Sequence, residues 1–199
     1  MAARNDIRTA AKRSVALIEV VTCKHDEAVQ MTLTQRDPTD EGRVPLKVAM
    51  RHLAGAVCIV TAGVGAERTG ATITTAHSFS VEPEMMAVSI NLASSTWTAI
   101  SHHRHFCVNV LRADQIAVAE RFTGRNGLKG SSRYEGARWF SLVTGALALD
   151  GVLAAVDCKV EDIVVRHSHA LILGRVEQAV IGQPGPALLY HQGTYGSSG

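Results

Sequence analysis

The sequence predicts a mainly β protein, an antiparallel barrel or sandwich with a few short helices. Many short β-branched apolar runs follow one another from residue 56 onward, few segments have helical spacing, and turn residues separate the runs. With 199 residues, 46% of them hydrophobic, the chain has the size and composition of one sizeable globular domain, alone or with an appendage. A real core is therefore expected, without a disulfide or a metal to hold it.

A boundary is predicted at residue 43. Residues 35–43 form a polar, turn-rich run of the kind found in linkers. Before this run, residues 10–21 fit a short helix or a strand, because their apolar residues keep no clean period. Residues 1–43 are thus predicted to be an N-terminal extension, which could be an appendage, a dimer-contact arm or a disordered tail. Residues 44–199 are predicted to be the domain.

The domain is predicted to begin with a short helix and a hairpin. Pro45 suits a first helical turn, apolar residues repeat at helical spacing over residues 46–53, and Gly55 ends the helix. Residues 56–61 and 70–76 are β-prone and are separated by glycine-containing turn chemistry. This arrangement predicts two paired antiparallel strands.

Four further strands and two helices complete the predicted domain. The strands are expected at residues 85–91, 106–111, 153–160 and 170–176, where apolar and β-branched residues concentrate. The helices are expected at residues 96–101 and 113–122, and Asp114 is a candidate cap for the second one. Both helices are interpreted as connections between strands.

Charge and composition exclude several classes of partner. A formal net charge of +2 gives no electrostatic footprint for a nucleic-acid backbone. No apolar stretch approaches the roughly 20 residues that span a bilayer, and no secretory signal precedes the domain. The protein is therefore predicted to be soluble and cytoplasmic. Three of the four cysteines lie in apolar runs, where buried free thiols are expected.

The known short motifs do not fit this sequence. It has no dinucleotide-binding glycine pattern, no P-loop and no serine-hydrolase elbow. The run His102-His103-Arg104-His105 resembles a metal cluster but has no neighbouring carboxylate or cysteine in the sequence to complete a coordination shell. It is interpreted as a polar corner between a helix and a strand, and no metal site is predicted.

Hydroxyl side chains concentrate along residues 70–78 and again beside the first connecting helix. Strand alternation places Thr72 and Thr74 on one face of the hairpin's second strand, although threonine also simply favours strands. Residues 93–96 lead into a helix, and hydroxyls beside free helix-terminal amides form a site for phosphate or another anion. An ordinary helix cap uses the same residue types. The basic, glycine-rich stretch 121–138 suits either a loop over an anionic ligand or a solvated loop.

The order of these segments is more specific than any one of them. They are residues 70–83, the pair of runs Ser89-Ile90-Asn91 and Ser94-Ser95-Thr96, residues 106–111, the run His167-Ser168-His169 before residues 174–176, and residues 188–190 with 193–195. In order and spacing they resemble the short-chain flavin reductases of the flavin-reductase-like split-barrel family. The resemblance covers roughly residues 46 to 196 and leaves the N-terminal extension unmatched.

The resemblance implies a homodimeric FMN-binding split β-barrel, antiparallel and Greek-key-like, with a few short helices. Such a protein binds FMN or FAD and reduces it with NADH or NADPH by hydride transfer, commonly to supply a partner monooxygenase with reduced flavin. A split-barrel flavoprotein that retains its flavin and reduces another acceptor is the alternative enzyme. A non-catalytic flavin or haem binder is the alternative from another class. The choice between the two flavins, between the two donors and among partner oxygenases stays open.

The same resemblance assigns candidate site residues. Contacts to the isoalloxazine and ribityl groups fall to Thr72, Thr74, Thr75 and Ala76, and contacts to the ribityl-phosphate end fall to Asn91, Ser94, Ser95 and Thr96. His169 matches the histidine that lies beside the flavin and the nicotinamide, and it is the candidate catalytic residue. In the family this histidine usually follows Gly-Asp, whereas here His167-Ser168 precedes it.

Overall fold

The computed structural model describes residues 44–199, and the predictions for residues 1–43 lie outside the described residues. The α-helices are α1 (Leu46–Ala49), α2 (Ser95–His103) and α3 (Ile116–Arg121). The strands are β1 (Gly55–Ala56), β2 (Cys58–Ala62), β3 (Thr69–Ile73), β4 (His77–Val81), β5 (Glu84–Asn91), β6 (His105–Val110), β7 (Trp139–Ser141), β8 (Leu147–Leu149), β9 (Ala154–Arg166), β10 (His169–Ile181), β11 (Leu188–His191) and β12 (Thr194–Ser197). Short 3-10 turns occupy Met50–His52, Gly65–Glu67, Ala113–Gln115 and Gly130–Tyr134.

One large antiparallel sheet organises these elements. Its seven strands have the order β3-β2-β6-β9-β10-β5-β4, and two small sheets, β1-β11-β12 and β7-β8, accompany it. Every pair is antiparallel, and β9 and β10 form a long hairpin of 13 residues on each side. The prediction of a mainly β antiparallel fold is confirmed. Among the described residues, no helix has the length and apolar character needed to cross a membrane.

The large sheet has a core on each face. Along β2, Cys58, Val60 and Ala62 contribute to one hydrophobic cluster and Ile59 to the other, and all five β2 positions are buried. Alternating side chains of one strand point to opposite faces, so this strand is covered on both sides and needs a continuous apolar sequence. Helix α2 packs into the first cluster, and α3 and β8 contribute to the second.

Buried polar side chains attach β8 to the large sheet. Asn109 is fully buried; its Nδ2 donates to the carbonyl of Ile59 at 3.1 Å and its Oδ1 accepts from the amide of Leu149 at 2.7 Å. The hydroxyl of Thr61 donates to the carbonyl of Leu147 at 2.6 Å. These bonds satisfy backbone groups that would otherwise be buried without partners.

Several element boundaries differ from those predicted. Strand β3 ends at Ile73, so residues 74–76 lie in the turn that leads to β4 instead of in a strand. The second predicted helix begins as a 3-10 turn, and its N-terminal residue is Arg112, whose guanidinium binds the carboxylate of Asp114. Asp114 therefore pairs with an arginine and does not cap the helix. The expected burial of Cys58, Cys107 and Cys158 as free thiols is confirmed.

Candidate functional site

A cavity of about 410 Å³ lies where β3, β5 and β10 approach one another. This volume is within the range of roughly 300–1,000 Å³ that is typical of small-molecule sites. The lining residues come from these strands, from the turn after β3, from the residues just before β2 and α2, from the β11-β12 hairpin and from the loop after α3. They are Val57, Ala71, Thr72, Ile73, Thr74, Thr75, Ser89, Ile90, Asn91, Ser94, Thr123, Arg125, His169, Tyr190 and Tyr195.

Two threonine hydroxyls on the cavity wall already donate hydrogen bonds to the protein. Thr72 Oγ1 lies 2.6 Å from the carbonyl of Ala119, and Thr75 Oγ1 lies 3.0 Å from the carbonyl of Ser89. A hydroxyl has one proton to donate and two lone pairs that can accept. Each hydroxyl has therefore used its one proton and can still accept a hydrogen bond from a ligand.

The N-terminal end of α2 borders the cavity through Ser94 and Asn91. The Ser94 hydroxyl donates to the carbonyl of Asn91 at 2.7 Å and accepts from the amide of Trp97 at 3.1 Å, so it is the N-cap of α2. The amide side chain of Asn91 accepts from the amide of Ala93 at 2.8 Å and fixes the preceding turn. The first backbone amides of a helix lack partners within it and attract anions. An anionic group at this edge would meet those amides.

Three of the predicted site residues do not line this cavity. Ser95 Oγ lies 2.8 Å from Thr69 Oγ1, and Ser95 lines a separate cavity of about 770 Å³. Thr96 is completely buried, and Ala76 packs against the first hydrophobic cluster. The side chains of Ser95, Thr96 and Ala76 therefore lie apart from the other six predicted residues, which the fold brings together.

His169 begins β10 directly beside the end of β5. It pairs in register with Asn91, and the amide of Leu92 donates to the carbonyl of Ser168 at 3.0 Å. Nδ1 of His169 lies 2.9 Å from the hydroxyl of Ser168. When this hydroxyl donates to Nδ1, Nε2 carries the ring proton and can donate to a ligand. The turn before His169 forms although His167-Ser168 occupies it, with His167 at a φ of 49°.

The sequence reasoning missed Arg125 and the two tyrosines. Tyr190 and Tyr195 face each other across the β11-β12 hairpin with ring centroids 5.4 Å apart in a T-shaped arrangement. Burial, followed by the nearby carboxylate of Glu120, raises the pKa of Tyr195 to about 12. The basic stretch 121–138 contained the signal for Arg125, but its sequence did not show which arginine reaches the cavity.

The ionisable side chains of the cavity wall favour an anionic ligand. Within the described residues, Arg125, His169 and the two tyrosines line the cavity, and no carboxylate does. The guanidinium of Arg125 provides donors in the geometry that phosphate and other oxyanions accept. Apolar side chains, among them Val57, Ile73 and Ile90, cover much of the remaining wall. The arrangement suits a flat, largely apolar ring system with a negatively charged extension.

The histidine run is a corner, as predicted, but it has a carboxylate neighbour. Helix α2 ends at His103, Arg104 adopts a left-handed φ of 57°, and His105 begins β6. The expectation that no carboxylate accompanies these histidines is wrong, because Glu67 Oε2 lies 2.8 Å from His103 Nε2. Glu67 is distant in sequence and reaches the corner only through the loop between β2 and β3.

Comparison with known proteins gives one consistent result. The model of the flavin reductase like domain family matches residues 50–199. The chain is 30% identical over 151 residues to the 4-hydroxyphenylacetate 3-monooxygenase reductase component of Salmonella typhi, covering 76% of this chain and 89% of that protein. It is 32% identical over 156 residues to the FMN reductase (NADH) RutF 2 of Rhizobium rhizogenes, covering 78% of this chain and 89% of that one.

Solved structures with similar folds point the same way. A flavin reductase domain protein from Arthrobacter sp. FB24 superposes with a TM-score of 0.70 at 27% identity, covering 77% of this chain and 93% of that chain. BorF, the flavin reductase component of a bacterial two-component tryptophan halogenase, superposes with a TM-score of 0.71 at 25% identity, covering 76% and 95%.

Proposed function

The chain belongs to the flavin reductase like domain family, and from this membership we propose that it reduces FMN or FAD with NADH or NADPH in the cavity described above. The observation that supports this most is the composition of the cavity wall. Acceptor hydroxyls, a histidine, an arginine and two tyrosines surround a space of about 410 Å³, and no carboxylate lines it within the described chain. An uncharged ring system with an anionic tail fits this wall.

The residues of the wall divide between the two parts of a flavin. Thr72, Thr74 and Thr75 border the ring and ribityl portion, where lone pairs of the hydroxyls accept from ring and ribityl donors. Asn91 and Ser94 border the anionic end through the amides of the first turn of α2. Ser95 and Thr96 are not assigned to that end, because Ser95 lines the other cavity and Thr96 is completely buried.

A bound flavin supplies the hydride-accepting chemistry, and the protein supplies placement. His169 Nε2 is positioned to donate a hydrogen bond toward the ligand when Ser168 holds Nδ1. Such a donor stabilises negative charge that develops during hydride transfer. Tyr190 and Tyr195 line the same cavity and offer aromatic surface against which a nicotinamide can pack. No strong acid or base is required.

The active form is proposed to be a homodimer. Residues 44–53 expose five large apolar side chains, and α1 buries no residue. A four-residue helix is not stable alone in water, so a surface of this kind needs a partner. A second copy of the chain, related by a two-fold axis, would cover it.

A separate monooxygenase is proposed to use the product. The Salmonella typhi relative is named as the reductase component of a monooxygenase, and BorF as that of a halogenase. The cavity of this chain is open to its surroundings through exposed Arg125 and His169, which allows a reduced flavin to leave.

Steady-state oxidation of NADH and of NADPH tests the proposal. Purified protein is assayed with and without added FMN, FAD or riboflavin. Turnover that depends on excess free flavin supports a reductase that releases its product. Turnover with only the flavin that copurifies would indicate a flavoprotein that retains its cofactor and reduces another acceptor. Absence of turnover under all conditions would contradict the proposal.

A further inference from the structure

Glu67, His102 and His103 form a cluster of metal-ligating side chains outside the candidate flavin site. Glu67 is the last residue of the 3-10 turn that follows β2, and the two histidines are the last residues of α2. Each side chain offers one ligand atom, and the three atoms all lie within 4.8 Å of one another. Zinc bonds to nitrogen and oxygen measure about 2.0–2.2 Å, so ligand atoms of one ion are at most about 4.4 Å apart. The three ligand atoms are therefore close to the spacing that the ligands of one ion require.

The donor set is one that divalent transition-metal ions prefer. Two imidazoles and a carboxylate bind zinc and related ions and leave further coordination positions open. The rings of His102 and His103 are 4.7 Å apart between centroids and nearly perpendicular. Glu67 Oε2 and His103 Nε2 lie 2.8 Å apart, a direct contact that an ion entering between them would replace.

The surroundings of the cluster support a cation at this point. The last turn of a helix carries partial negative charge, which stabilises cations. His105 is buried behind the cluster, and its ring stacks on that of His103 with centroids 5.7 Å apart, which fixes the orientation of His103. The side chain of His103 is only 14% exposed, whereas that of Glu67 is 65% exposed and can adjust to an ion.

The cluster borders a second cavity. Its volume is about 770 Å³, all three residues of the cluster line it, and it shares no lining residue with the candidate flavin site. A water molecule or a small anion can therefore reach an ion held there without displacing a protein ligand. Arg68 and Ser95 also line this space.

We propose that Glu67, His102 and His103 bind a divalent transition-metal ion, with Zn²⁺ as the representative case. The ion would join the loop between β2 and β3 to the C-terminal end of α2. Because the same helix contributes Ser94 to the candidate flavin site through its opposite end, the ion would also hold that helix in place. The site is independent of whether the cavity near β3 binds flavin.

Zinc binding is measured on the full-length, metal-depleted protein by competition with a chromophoric chelator. We expect one tight Zn²⁺ ion per chain at this site and a rise in melting temperature on Zn²⁺ addition, since a ligand that binds only the folded state stabilises it. His103→Ala, His102→Ala and Glu67→Gln should each weaken Zn²⁺ binding at least about tenfold, because loss of even an outer-shell partner costs roughly ten- to a hundredfold. His77→Ala and His191→Ala, which remove exposed histidines elsewhere, are the matched controls.

Comparison of the three cluster variants with the two control variants tests whether Zn²⁺ binds at this cluster. Loss of the Zn²⁺-dependent rise in melting temperature in the three cluster variants, with the rise retained in both controls, supports the site. If His103→Ala does not fold, the Zn²⁺ affinity of Glu67→Gln tests the proposal, since this substitution keeps the shape of the side chain. Equal Zn²⁺ affinity in wild-type protein and all folded cluster variants, or no stoichiometric Zn²⁺ in wild-type protein, would overturn the proposal. Flavin binding is measured in a separate titration, and its result tests only the proposed flavin site.

Discussion

Thr96 is a fully buried threonine whose hydroxyl has no hydrogen-bond partner among the described residues. An unsatisfied buried hydroxyl costs about 1–3 kcal/mol, and replacing it by a methyl group removes that cost. We predict that Thr96→Val keeps or raises the melting temperature and leaves flavin affinity unchanged. Thermal melts and fluorescence titration with FMN and FAD measure both quantities.

Thr72→Val is the matched control for this substitution. Its hydroxyl faces the cavity and donates to the carbonyl of Ala119 at 2.6 Å, so its removal should lower both stability and flavin affinity. If Thr96→Val weakens flavin binding as much as Thr72→Val does, the Thr96 hydroxyl is a ligand contact and its burial has been misinterpreted.

His169 is proposed to act on the transition state more than on binding. Removing a hydrogen-bond donor that stabilises developing charge slows reactions by about ten- to a thousandfold. We predict that His169→Ala slows anaerobic flavin reduction by NADH within this range while oxidised-flavin affinity stays nearly intact. Stopped-flow absorbance measures the rate, and a thermal melt reports on folding.

His191→Ala provides the comparison, because His191 is exposed on β11 and does not line the cavity. Its reduction rate should equal that of the wild type. An unaltered rate in His169→Ala, with or without a change in melting temperature, would assign His169 a structural role only.

Six of the nine predicted site residues line the cavity. Local sequence patterns are enough to predict their places on strands, beside strand ends or at the start of a helix. Thr72, His169 and Asn91 lie at strand ends, and the register of β5 with β10 brings the last two together. Ser95 and Thr96 differ because they are the first two residues of α2, whereas Ser94 is the extended N-cap before the helix and lines the cavity. Sequence alone does not show where the first helical turn begins to within one residue.

At the scale of elements, the loop after α3 contributes the positive charge of Arg125 to the cavity. No local sequence pattern identifies which arginine of this loop lines the cavity. Arg125 follows the end of α3, and its amide donates to the hydroxyl of Thr123 at 3.3 Å, which shapes the turn beside the cavity. We predict that Arg125→Ala weakens flavin or nicotinamide-nucleotide binding by about 1.5–3 kcal/mol, the value of hydrogen bonds to a charged group. Titration at low and high salt should show a smaller salt dependence for the variant.

Arg138→Ala controls for the loss of a positive charge in the same basic stretch. Its side chain is 89% exposed and pairs with Asp150 at 2.6 Å, outside the cavity. Equal weakening by Arg125→Ala and Arg138→Ala would point to a general effect of net charge and would contradict a specific contact of Arg125.

The strands that the sequence analysis missed or shortened have identifiable causes. β7 and β8 have three residues each and β12 has four, which is too few to show a period of two. β9 and β10 continue beyond the predicted ends. The continuation of β9 begins with the exposed pair Glu161 and Asp162, which resembles loop sequence. The long apolar strands β2, β5 and β6 were predicted because burial on their faces demands a continuous pattern.

One glycine, Gly174, allows the long strands β9 and β10 to pack. The pairing of β9 with β10 shifts register between Leu173 and Gly174. A Cβ atom on Gly174 would lie 2.6 Å from Cε1 and Cζ of Phe106, which is fully buried. A side chain at this position would therefore displace the central aromatic ring of the first hydrophobic cluster.

At the scale of the whole molecule, the exposed apolar side chains of residues 44–53 predict that the chain associates. The proposed dimer should scatter light as twice the 21.2 kDa chain at micromolar concentration. A charged side chain in a buried apolar interface is costly, so Leu46→Glu or Leu53→Glu should shift the protein toward monomer. Val143→Glu, at a position that is 65% exposed elsewhere on the chain, should leave the mass unchanged. A wild-type mass of one chain would contradict the dimer.

The fold as a whole was predictable because its two cores impose strong patterns on the central strands, whereas the cavity was predictable only in part. Its wall combines β3, β5 and β10 with a hairpin and a loop that lie far apart in sequence. Tyr195 and Arg125 therefore become neighbours of Thr72 only once the chain has folded.

Catalytic reduction of free flavin tests the central claim most directly. NADH or NADPH is mixed anaerobically with excess FMN or FAD and a small amount of protein, and the loss of flavin absorbance is followed. The proposed function predicts that many equivalents of flavin per chain are reduced, at a rate proportional to protein concentration. Loss of absorbance limited to one equivalent per chain, or none above the rate without protein, would contradict it.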